Sequence, residues 1–96
     1  MSTLEVLRVR VTDGSRQSIL DKLHADRETM KIRHGVERVE LLLNESLESD
    51  LAVHLYWKTG ALQSEKSELA EEIMGGLRDR GVLHHTIWIE GENYGN

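Results

Sequence analysis

Hydrophobic and polar residues alternate with a period of two in four stretches of this chain, and recur with helical spacing in two others. From Leu4 to Val11, the residues Leu7, Val9 and Val11 fall on one side and Val6, Arg8 and Arg10 on the other. Val36 to Leu43 places Val39, Leu41 and Leu43 together. Leu51 to Lys58 is the clearest strand, with Leu51, Val53, Leu55 and Trp57 alternating with Ala52, His54, Tyr56 and Lys58 before Thr59-Gly60 breaks it. Val82 to Glu90 repeats the pattern. Between the first two strands, Thr12-Asp13-Gly14-Ser15 reads as a turn with Ser15 as helix N-cap. Ile19, Leu23 and Met30, with Leu20 beside them, then form a helical stripe. Gly35 is the expected stop, with Lys31, Arg33 and His34 in the last turn, where cations suit the helix dipole.

The stretch from Asn44 to Asp50 reads as a polar connection. A second helix carries Leu69, Ile73 and Leu77, with Ala70 and Met74 near them. Ser64 reads as its N-cap, Glu65 and Glu68 as its acidic first turn, and Gly81 as its end. Gly75-Gly76 inside it costs about 1 kcal/mol per glycine relative to alanine, and close packing against a sheet is the expected compensation. The order β-α-β-β-α-β predicts an α+β, ferredoxin-like fold: a four-stranded antiparallel sheet in the order 4-1-3-2, with two helices on one face.

One face of that sheet, from Leu7, Val9, Val11, Val39, Leu41, Leu43, Leu51, Val53, Leu55, Trp57, Leu83, Ile87 and Ile89, is apolar except for His85, which should be partly buried with a hydrogen-bond partner. The opposite face gathers Arg8, Arg10, Glu40, His54, Tyr56, Lys58, His84, Thr86, Trp88 and Glu90, with Val6, Leu42 and Ala52 as apolar patches. A helix-covered face would not carry these residues. It must meet water, a ligand or a second copy, and exposed aromatic and arginine side chains favour an interface. Pairing with a second copy about a two-fold axis is the commonest geometry of that kind.

Composition narrows the function classes. Ninety-six residues suit one domain spanning 1–96, with residues 91–96 as a frayed polar tail. The chain has 17 acidic and 12 basic residues and a formal net charge of -5, which argues against a nucleic-acid binder. It has no cysteine, so neither a thiolate nucleophile nor a cysteine metal site is available. No run approaches a membrane span, and MSTLEVLRVRV has no basic and apolar leader pattern, so a cytoplasmic location is expected.

The βαββαβ order, the long first helix and the stretch AVHLYWKTGAL at the end of the third strand resemble the dimeric α/β-barrel superfamily, in particular its antibiotic-biosynthesis-monooxygenase-like branch. The motif residues are Tyr56, Trp57, Lys58, Ala61 and Leu62. The resemblance implies a homodimer whose two sheets close a barrel able to hold a ligand. It also implies that the chain could be a cofactor-independent, monooxygenase-like enzyme or a non-catalytic ligand-binding or scaffolding relative. Enzymatic branches of that family commonly place a His on or near the second helix and aromatic residues after the Trp; the corresponding stretch here, QSEKSELAEEIMGG, has neither, and of the haem-degrading Asn-Trp-His set only Trp57 is present. No catalytic residue is carried over.

From the residues themselves, His54 or His84 is the candidate general base, Arg8 or Arg10 the anion stabiliser, and Tyr56 and Trp88 the walls of a small-molecule site. The alternative is structural pairing of these cations with Glu5, Glu40 and Glu90. No cofactor and no metal site is expected: His84 and His85 point to opposite faces, and His54 and His84 are separated by the first strand. Single-stranded RNA on an open sheet would need stacking aromatics on both central strands, and the first strand has none.

Overall fold

A computed structural model describes residues 2–58, 62 and 65–89. The elements are β1 (Ser2–Val11), α1 (Arg16–His34), β2 (Arg38–Leu43), β3 (Asp50–Lys58), α2 (Glu68–Leu77) and β4 (Gly81–Ile89). The strands form one antiparallel sheet in the order β2-β3-β1-β4. This is the ferredoxin-like arrangement that the alternation and helix spacing predict. The central pair, β1 and β3, holds the most regularly alternating segments, since both of its edges are paired.

The core lies between the sheet and the two helices. Leu7, Val9, Leu51, Val53, Leu55 and Trp57 from the sheet meet Ile19, Leu23 and Met30 of α1 and Leu69, Ala70, Ile73, Met74 and Leu77 of α2, all buried. Transfer of this apolar surface from water, at about 25 cal/mol per Å², drives the assembly. The predicted apolar face is not covered to its ends. Leu43 and Ile89 share its parity but are exposed, because they stand at strand ends beyond the reach of the helices.

The ends of α1 differ in how they are made. Gly35 sits in the left-handed region (φ 72°) and its N–H returns to the Lys31 carbonyl, as a helix stop requires. At the start, Ser15 precedes the helix but its side chain caps nothing. Its N–H and hydroxyl both donate to Asp13 Oδ1, so the turn, not the helix, takes the side chain.

The second helix begins later than expected. Its N-cap is Ser67, whose Oγ accepts from the Ala70 N–H at 3.0 Å, so Glu65 is not in the first turn; Ser64 lies outside the described residues, as do Thr59-Gly60 and Glu90. The helix ends at Leu77, and Gly81 opens β4 instead of closing the helix. A Cβ at Gly81 would fall 2.1 Å from the Arg10 carbonyl oxygen, so the close approach of β4 to β1 is what requires glycine there.

Gly75 and Gly76 are exposed, and a Cβ at either would meet nothing within 4 Å. The expected packing against the sheet is absent because both face away from it, while Ile73, Met74 and Leu77 face inward. Neither has a positive φ. Alanine at both positions is therefore expected to raise stability by about 1–2 kcal/mol in total, through helix propensity alone. Urea denaturation of G75A/G76A checks this, and a loss of stability would show that the outer face of α2 is covered by something.

Candidate functional site

The register arranges the open face in rows that run across the sheet, spaced roughly 6.7 Å apart along the strands. The first row is Arg38, Tyr56, Leu4 and Trp88. The second is Glu40, His54, Val6 and Thr86, and the third Leu42, Ala52, Arg8 and His84. A fourth holds Asp50, Arg10 and Val82. Arg8 and Arg10 stand on the middle strand, with His54 on one side and His84 on the other. Trp88 is 60% exposed, Val82 51% and Leu42 41%, so the face carries bare apolar surface as well as charge.

Most polar groups of the face are already partnered within the sheet. Arg10 Nε and Nη2 lie 3.1 and 3.4 Å from Asp50 Oδ1 and Oδ2, a forked ion pair. The Arg10 guanidinium, with the Ser49 hydroxyl at 2.9 Å, holds the Asp50 carboxyl below the usual aspartate range. Tyr56 Oη donates to Glu40 Oε1 at 2.7 Å, while Arg38 Nη2 reaches Glu40 Oε2 at 3.2 Å and its guanidinium carbon sits 4.2 Å from the Tyr56 ring centre. The Tyr56 hydroxyl, aided by the Arg38 guanidinium, holds Glu40 below the usual glutamate range. Trp88 Nε1 donates to Thr86 Oγ1 at 2.9 Å. His54 meets the Tyr56 ring edge-on at 6.4 Å. Among the described residues, neither imidazole of His54 and His84 has a hydrogen-bond partner, and the Arg8 guanidinium has no acidic one.

Between the rows lies a basin of about 440 Å³, lined by Arg8, Arg10, Ala52, His54, Val82 and His84 among others. It brings together four of the six residues singled out from the sequence. Tyr56 and Trp88 stand one or two rows away and do not line it. Among the described residues, no cluster of three or more His, Asp or Glu side chains is gathered for a metal ion.

Two parts of the arrangement escape a reading of the sequence. Asp50 looks like the end of a polar connection, yet it is the first residue of β3 and sits opposite Arg10. The available signal is its parity, which it shares with His54 and Tyr56. Glu5, grouped from the sequence with possible partners of the arginines, points to the other face and is fully buried. Its Oε1 accepts from Trp57 Nε1 (3.1 Å) and Ser67 Oγ (2.6 Å), and its Oε2 accepts from the Ser67 N–H (2.9 Å) and lies 2.7 Å from His85 Nε2. This supplies His85 with the partner its position demands, and ties β1, β3, β4 and the N-cap of α2 to one carboxyl group.

No protein-family model matches the sequence, and no curated protein is significantly similar to it. Solved structures do match, and they share the fold. A conserved protein from Methanosarcina mazei superposes with a TM-score of 0.72 at 16% identity, over 95% of this chain and 94% of that one. An antibiotic biosynthesis monooxygenase-type protein from Nitrosomonas europaea gives 0.69 at 12% identity, over 98% and 92%. SnoaB from Streptomyces nogalater, described as a cofactor-independent oxygenase, gives 0.65 at 15% identity, over 99% and 98%. Several structural neighbours of this chain are thus antibiotic biosynthesis monooxygenase-like proteins, and its βαββαβ fold is theirs. Among the described residues, no helix is long and apolar enough to cross a membrane.

Proposed function

We propose that two copies of this chain pair through the open sheet faces as a dimeric α/β barrel. The enclosed space holds a small aromatic or anionic molecule, on which the protein acts as a cofactor-independent, monooxygenase-like enzyme. The observation that carries this reading is the open face itself: Trp88, Val82 and Leu42 are bare beside two arginines and two histidines. A face of this composition resembles a protein interface with a polar cavity more than a solvated surface. The likeness in fold to a cofactor-independent oxygenase supports the chemical part.

In this reading the imidazole of His54 or His84 takes a proton from the bound molecule. A neighbouring guanidinium stabilises the anion left behind. Arg8 suits that role better than Arg10, whose fork is occupied by Asp50. A second reading, a non-catalytic binding dimer, is favoured by how many groups are already engaged: Tyr56 and Trp88 spend their single donors within the protomer, and Arg10 turns one edge of its guanidinium to Asp50.

The first experiment is the mass of the purified chain by light scattering coupled to size exclusion. The expected value is near twice the 11.0 kDa of one chain; a monomer rejects the barrel. The second is oxygen uptake with a panel of phenols and hydroquinones. On the enzymatic reading, His54→Ala or His84→Ala abolishes uptake and leaves the mass unchanged. Unchanged uptake in both variants rejects the histidine roles, and binding without uptake in the parent protein favours the non-catalytic reading.

A further inference from the structure

We propose that the basin beside Ala52 is a carboxylate site, in which the Arg8 guanidinium grips the acid group of a small planar aromatic acid. This rests on the barrel reading for the wall that the second copy supplies, and it names the class of ligand.

In the third row Ala52 stands between Leu42 and Arg8, and its methyl group is the shortest side chain on this face of the two central strands. The layer dips there. Arg8 and His54 line the space beside it, with Leu42 on the β2 side and Val82 and His84 on the β4 side. Apolar and charged walls thus face each other across one space.

Charge then selects the ligand. Arg10 is neutralised by Asp50 through two contacts, and Asp50 is completed by Ser49. Glu40, the other acid of the face among the described residues, stands one row away opposite His54 and is held by Tyr56 and Arg38. The row of Arg8 contains no carboxyl group: its members are Leu42, Ala52 and His84. Among the described residues Arg8 is therefore a cation on a central strand with no acidic group in ion-pair contact, its charge reaching only Asp50 of the next row, whose oxygens Arg10 holds. A guanidinium presents a planar fork that matches a carboxylate with two parallel hydrogen bonds. Covering the basin with a second sheet removes water and strengthens that attraction. Leu42, Val6 and Val82 offer apolar surface to a flat hydrocarbon body.

The test is calorimetric titration of the full chain with 2-naphthoate and with 2-naphthylmethanol, which keeps the rings and lacks the charge. The acid is expected to bind about tenfold tighter or more, as a charge-assisted fork implies. Arg8→Gln should erase the preference with the mass unchanged. Ala52→Leu, which fills the dip and leaves Arg8 in place, should weaken the acid by a similar factor. Equal affinities, no binding of the acid, or a preference that survives Arg8→Gln overturns the proposal. The two readings fail separately. A dimer without acid preference keeps the pairing and removes the carboxylate site, whereas a monomer with an Arg8-dependent preference keeps the site and removes the pairing.

Discussion

Replacing Glu5 with alanine is expected to destabilise the protein by about 3–5 kcal/mol, a large part of the whole stability of a domain this size. The expectation follows from what the carboxyl group holds. Glu5 is fully buried and serves four polar groups: the Trp57 indole N–H, the Ser67 hydroxyl, the Ser67 backbone N–H and the His85 imidazole. Among the described residues no buried side-chain polar atom lacks a partner, so the network is complete as it stands. Truncation to alanine leaves the Trp57 N–H, the Ser67 hydroxyl and the Ser67 N–H without an acceptor, takes away the partner of the His85 imidazole, and opens a cavity. Each buried donor left alone costs about 1–3 kcal/mol before relaxation.

The effect also spreads along the chain. The Ser67 hydroxyl donates to Glu5 and accepts from the Ala70 N–H, so losing Glu5 loosens the cap of α2. Glu5→Gln should fall between the parent and alanine, because the amide keeps one acceptor oxygen but turns a donor towards the Ser67 N–H. Urea denaturation followed by circular dichroism measures both variants. A loss below about 1 kcal/mol for Glu5→Ala would mean that the four groups find other partners, and the role assigned to Glu5 would fall.

The second large effect concerns assembly. Trp88→Glu is expected to convert the proposed dimer to monomer at micromolar concentrations. The Trp88 ring is 60% exposed, on the first row of the open face, and its N–H is already used by Thr86. What it offers is apolar surface, which is what an interface anchor contributes. In an isologous pair the substitution occurs twice. A loss of roughly 2 kcal/mol at each of two copies weakens association by about a thousandfold, before the cost of burying two new charges. Ile32→Glu is the control: Ile32 is 83% exposed on α1, on the helical side of the molecule, and its substitution should leave the mass unchanged. Light scattering reads both variants. A Trp88→Glu protein that keeps the parent mass would remove the first row from the interface.

The two expectations concern opposite faces of the same strands, and the sequence was legible to different depths on the two. Alternation at Leu51–Lys58 and Leu4–Val11 identifies the central strands because side chains point alternately up and down along any extended chain. The order of elements then restricts the topology to very few arrangements. Helix ends were less legible. Ser64 and Ser67 are both acceptable caps locally, and the choice fell to Ser67 because its hydroxyl and N–H can also reach Glu5, 62 residues earlier in the chain. Gly75-Gly76 suggests a packing contact in the sequence, but their side of α2 is the exposed one, a matter of helix phase against the sheet.

What the sequence determined by itself is whatever depends on periodicity and neighbours along the chain: the four strands, the two helices, the stop at Gly35 and the division of the sheet into an apolar and a polar face. Only the tertiary structure decided which polar residues cancel one another. Arg10 finds Asp50 across 40 residues, Tyr56 finds Glu40, and Glu5 turns inward to Trp57, Ser67 and His85. Such pairings depend on strand register, and register is fixed by the sum of all cross-strand contacts. Arg8 and Arg10 look alike in the sequence. Register places a carboxylate opposite one and an alanine opposite the other, and so leaves Arg8 beside open space with no carboxylate opposite it.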